Sequence, residues 1–167
     1  MSLGQIALGD LKDEFGKTRT MLERVPEEHF GWKPHERSWS LAQISTHIAN
    51  LPVWVLMTIS EDGYDMKAAS PPRPEPQTHD ELLATFDDNA ANAMSALSGA
   101  TDAVLTEGWS LRAGEQVFWT RPKVEIIREW GISHMVHHRG QLSVYLRLLD
   151  VPLPPIFGPT ADEQPGP

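Results

Sequence analysis

Cysteine is absent from the 167 residues, which removes disulfides, thiolate zinc sites and cysteine nucleophiles together; any bound metal has to be held by His, Asp or Glu. Positive charge is scarce: 14 Lys and Arg stand against 23 Asp and Glu, for a formal charge of -9. Nucleic-acid affinity is supplied mainly by clustered Lys and Arg, so no nucleic-acid partner is expected. Long apolar runs are missing as well, since the longest, 51–59, is about half of the roughly 20 residues a membrane-spanning helix needs. The opening MSLGQIALG lacks a basic n-region and a long apolar h-region, so secretion is not indicated. The expectation is a soluble cytoplasmic protein with no membrane partner. Signatures of other chemistries are also lacking: there is no G-x-S-x-G, G-x-x-x-x-G-K, G-x-G-x-x-G or H-E-x-x-H.

What is present is a globular balance, 40% hydrophobic and 22% charged residues, in a chain of single-domain size. One domain over 1–167 is expected, with about 158–167 a mobile, proline-rich tail. Apolar residues at Leu8, Leu11, Phe15, Leu22 and Val25 predict a first helix over 8–25, ended by Pro26. Phe30 and Trp32 of the loop that follows are expected to fold back onto the core. Ser40 and Gln43 form a capping-box pattern opening a second helix that carries His47, kinks near Ile48 because of Pro52, and resumes through Ile59. The four prolines of 70–77 predict an extended loop. Thr78 and Glu81 open a third helix ending near Gly99. Residues 108–119 could form a short hairpin turning at Gly114. A fourth helix, with Thr120 as N-cap and Pro122 near its first turn, runs to about Leu149.

Each helical residue advances about 100°. With Ile127 as the origin, Trp130, His134, His138, Gln141, Leu142, Tyr145, Leu148 and Leu149 share one face, and Glu125, Arg128, Glu129, Arg139 and Arg147 lie opposite. The spacing therefore points His134 and His138 toward the interior, where two imidazoles at i, i+4 can converge on one ion. His47 shares a stripe with Ile44, Leu51 and Trp54 and could supply a third ligand. Two alternatives stand beside this: a hydrogen-bonded core network, or His137 in place of His138. Gln141 and Asn50, one helical turn from the histidines, could hold a water or substrate, or could only close the helices together. Glu61 and Asp62 could reach the site from their loop. His29, His35 and His79 are expected in solvent. Ile132, Val136 and Leu146 fall toward the charged side, which suggests apolar surface for a homodimer.

Segment 134–142, HMVHHRGQL, resembles the C-terminal motif of the DinB/YfiT-like superfamily; 38–50, SWSLAQISTHIAN, resembles that family's second helix; and 154–162, PPIFGPTAD, is similar to its usual ending. The resemblance implies an all-α four-helix bundle of up-down-down-up topology, often dimeric. It also implies a divalent metal, zinc or nickel first and iron or manganese next, on His47, His134 and His138. Such families include metal-dependent thiol transferases and hydrolases. The resulting expectation is a metal-dependent enzyme acting on a small molecule, with a low-molecular-weight thiol as the first candidate and a non-catalytic metal-binding protein as the alternative.

Overall fold

The computed structural model describes residues 2–69 and 75–162. Helix α1 (Leu3–Leu22) starts earlier than the apolar periodicity suggests, because Ser2 and Gln5 close a capping box ahead of the exposed Leu3 and Ile6. Helix α2 (Leu41–Asn50) begins at the expected box, with Ser40 accepting from the Gln43 amide and Gln43 from the Ser40 amide. Pro52 does more than kink the chain. It separates α2 from α3 (Val53–Ser60), whose N-cap it forms, since it has no N–H to continue the first helix. Helix α4 (His79–Gly99) is capped by Thr78; Glu81 accepts from the Gln77 amide rather than from the cap residue. His79 is not simply solvated, because its Nε2 lies 3.1 Å from the Leu22 carbonyl and joins α4 to the end of α1. Of the proline-rich loop, 70–74 lie outside the described residues.

The expected all-α four-helix bundle is corrected by a three-stranded mixed sheet, which makes the fold α/β with helix predominating. Strand β1 (Gly63–Asp65) pairs parallel with β2 (Gly108–Ala113), and β2 pairs antiparallel with β3 (Gln116–Pro122). The β2–β3 pair is the hairpin anticipated before the last helix, turning at Gly114 with φ 62°. Strand β1 joins it from far back in the chain after the long crossover that parallel pairing requires, here α4 and the short α5 (Asp102–Thr106). A Cβ at Gly63 would sit 2.2 Å from the Ser110 carbonyl, so only glycine permits this approach.

The last helical stretch decides where the site lies. It runs as α6 (Lys123–Ile126), a π-helical segment (Ile127–Ser133) and α7 (His134–Leu148). Its entry is anchored by Lys123, whose buried amine donates to the Ile59 carbonyl 3.2 Å away, with Glu107 at 3.5 Å. The buried stripe is Ile127, Gly131, Met135, Arg139, Leu142 and Leu146. An unbroken α-helix started at Ile127 would instead bury His134, His138, Gln141 and Tyr145. The i→i+5 segment takes in about one extra residue, which rotates everything after it by about 100°. Consequently Leu148 is 58% exposed where burial was expected, and Arg139 and Leu146 are buried where exposure was expected. Leu146 leaves the suggested dimer surface, and Ile132 and Val136 are half-buried.

Helix α4 packs against α1, α2 and α3, and α7 packs against α1 and α2. The core between them includes Leu11, Leu41, Ile48, Leu82, Phe86 and Leu142; truncating one such leucine to alanine costs about 3 kcal/mol. Through 162 the tail is tied down: Arg147 grips Asp162, Ile156 packs on the core and Phe157 lies over Lys17. Residues 163–167 of the expected mobile tail lie outside the described residues. No described helix is long and apolar enough to cross a membrane.

Candidate metal centre

The rotation places His134 and His138 at the edge of the core, facing α2, where His47 meets them. All three side chains are half-buried, and their ligand atoms lie within 4.8 Å of one another. His134 Nε2 is 3.0 Å from His138 Nε2 and 3.4 Å from His47 Nε2. Nitrogens bound at about 2.1 Å to one ion would stand roughly 3.0 Å apart at octahedral angles and roughly 3.4 Å at tetrahedral ones.

Chemistry points the same way. His138 Nδ1 is 2.7 Å from Gln141 Oε1, an oxygen that can only accept, so Nδ1 carries the proton and Nε2 keeps its lone pair toward His134. Burial lowers the proton affinity of His134, with His138 and His137 acting in the same direction. Burial also lowers that of His138, opposed by Gln141 and reinforced by His137. Neutral imidazole is the metal-binding form. A single N–H among three converging nitrogens serves at most a bifurcated contact, whereas a cation accepts all three lone pairs. The donor set therefore fits a divalent ion, and the three histidines could hold one.

Surrounding residues fix the rings. Trp130, 6.4 Å from the His134 ring, rests on Trp54 at 4.7 Å and reaches Trp119 at 6.5 Å, so the sheet and α3 support this side chain from behind. The Trp39 ring stacks on His138 at 5.7 Å and 21° and tilts against His47 at 5.0 Å. Its carbonyl accepts from the Tyr145 hydroxyl at 3.1 Å, which fixes the loop before α2 over the triad. Trp39 separates two openings: a cleft of about 860 Å³ that reaches His47, and one of about 510 Å³ that reaches His138.

The other candidate residues fall differently. Gln141 holds the His138 ring in place through its side-chain oxygen. Asn50 is buried on the wall of the larger cleft, its amide donating to the Thr46 carbonyl. His137 is exposed and packs on the His138 ring at 4.9 Å, outside the converging set. Glu61 and Asp62 are likewise outside it. Face sorting misses Trp39, which precedes the helix and has no periodic partner.

Residues 7–164 match the DinB family. Solved structures share the fold, two of them DinB-like proteins. A DinB-like protein from Bacillus cereus is 21% identical with a TM-score of 0.69, covering 89% of this chain and 93% of that one. Another from Bacillus subtilis is 16% identical with a TM-score of 0.68, covering 88% and 95%. No curated protein matches.

Proposed function

The chain belongs to the DinB family, and from that premise we propose a metal-dependent enzyme in which His47, His134 and His138 hold a divalent ion, zinc or nickel before iron or manganese. The observation that carries this reading is the convergence of three imidazole nitrogens beside two clefts, with no carboxylate in the group among the described residues. A three-histidine set leaves coordination positions for water or substrate, as catalytic rather than structural sites do. Such an ion supplies polarisation, lowering the pKa of a ligated water or thiol toward neutrality.

The chain's own residues supply the rest. Gln141 fixes the tautomer and ring plane of His138. Trp39 packs over one side of the triad, held there by Tyr145. Thiol transfer ranks ahead of hydrolysis on family resemblance, and a cytoplasmic homodimer completes the proposal. The test compares metal-loaded with chelated protein on thiol and ester substrates. Turnover should require the ion and disappear in His138→Ala. Undiminished turnover after chelation, or a metal-bound structure closed by a fourth protein ligand, would overturn the reading.

A further inference from the structure

The smaller cleft, about 510 Å³, lies between residues 37–39 of the loop before α2 and the part of α7 that carries His138, Gln141, Val144 and Tyr145, with Ile44 of α2 completing its lining. These segments are described throughout, and direct contacts tie the walls together. The Tyr145 hydroxyl donates to the Trp39 carbonyl at 3.1 Å, and the Tyr145 ring stands edge-on to Trp32 at 5.9 Å. The Trp39 ring stacks on His138 at 5.7 Å, and His138 meets Gln141 at 2.7 Å. The cleft therefore has fixed walls and reaches one histidine of the triad. Trp39 and Val144, 44% and 57% exposed, leave apolar surface to it. Arg37 is the one fixed charge among its lining residues, and among the described residues no carboxylate pairs with it. The turn that presents Arg37 is closed by its own amide donating to His35 Nδ1 at 3.1 Å and by the Ser38 amide donating to the His35 carbonyl at 2.9 Å.

We propose that this cleft is the substrate pocket of the triad and that it takes a small aryl carboxylate, its ring against Trp39, Val144 and Tyr145 and its carboxylate on the Arg37 guanidinium. Small-molecule sites are mostly apolar, with a few placed polar groups that fix the ligand's orientation. Aromatic rings pack edge-to-face or offset on indole and phenol rings. The planar guanidinium fork matches the two oxygens of a carboxylate. This inference rests on the metal-enzyme reading and narrows its substrate from small molecules in general to anions with an aromatic body, with Arg37 as the residue that sets the preference.

The probes are phenylacetate and its neutral isostere phenylacetamide, titrated by calorimetry into the full chain, both metal-loaded and chelated, with metal content determined on the same samples. A carboxylate can also ligate an ion, so the chelated arm separates Arg37 from the metal. Phenylacetate should bind about tenfold tighter than the amide in both arms. Arg37→Gln should cut that preference to about twofold and leave metal content unchanged, because the side chain is exposed and its amide bond to His35 is retained. Val144→Trp, a change at an exposed position, should fill the cleft and weaken both probes alike by about tenfold. Equal binding of the two probes by wild type, or a preference that survives Arg37→Gln and vanishes on chelation, overturns the inference with the metal reading intact. Wild type that takes up no metal but keeps the preference in Arg37-dependent form sinks the metal reading alone.

Discussion

Helix α7 carries a polar cluster on each of two faces, built in opposite ways. On the core side, Arg139 donates to the Glu14 carbonyl at 3.2 Å and to Thr18 at 3.1 Å, and pairs with the Glu14 carboxylate at 2.7 Å. Lys17 completes Glu14 at 3.1 Å, and Phe157 covers both cations at 4.1 and 5.8 Å. There opposite charges meet, and the Phe157 ring closes the cluster over. On the α2 side three imidazoles turn ring nitrogens toward one another beside open clefts. Paired opposite charges hold helices together; like nitrogens converging at an open edge could hold an ion. Adjacent residues, His138 and Arg139, thus serve different ends.

Breaking the closed cluster should cost most. Arg139→Ala leaves the Glu14 carboxylate with Lys17 alone and empties a buried position, and should lower stability by about 3 kcal/mol in denaturant melts; a loss under about 0.5 kcal/mol would mean that the pair contributes little. Gly131→Ala comes next. Its Cβ would sit 2.8 Å from Val55 Cγ2 at the π segment, so about 2 kcal/mol should be lost, and Val55→Ala should restore part of it non-additively. On the open cluster the effect moves from stability to binding. Gln141→Leu should weaken metal binding about tenfold while leaving the melting point of metal-free protein nearly unmoved; equal metal affinity would remove the positioning role.

The smallest effect belongs to Asp162, which fastens the tail to α7. Arg147 and the Leu153 amide hold its carboxyl down to about 2 from 3.8. A depressed native pKa contributes stability that is complete above 3.8 and lost as pH falls through about 2. Asp162→Asn should therefore melt slightly lower than wild type at about pH 7, with the two curves merging near pH 2. A gap that stays constant across that window would assign the effect to packing.

The contrast between the clusters also explains what the sequence made legible. His134 and His138 both follow the π segment, so their i, i+4 relation is insensitive to the rotation, and the pair can be read from spacing alone. Their relation to the core crosses that segment, and there the reading fails: it sets the histidines too deep and Arg139 on the wrong side. Nothing in 127–133 marks a π segment by residue type; only Gly131, tucked under Val55, records the close packing that accompanies it. Capping at Ser40 and Thr78 and the Gly114 turn are legible because each is a local backbone device. Strand β1, three residues long and paired across a crossover, has no local pattern to read, which is why only the β2–β3 hairpin of the sheet is legible in the sequence.

Elemental mass spectrometry of untagged protein tests the open cluster most directly, comparing wild type with His138→Ala and His137→Ala. About one divalent metal per chain in wild type and in His137→Ala, with loss only in His138→Ala, is the expected result. Wild type that takes up neither zinc nor nickel would make the triad a hydrogen-bonded network like the one around Arg139, and the enzymatic proposal would fall with it.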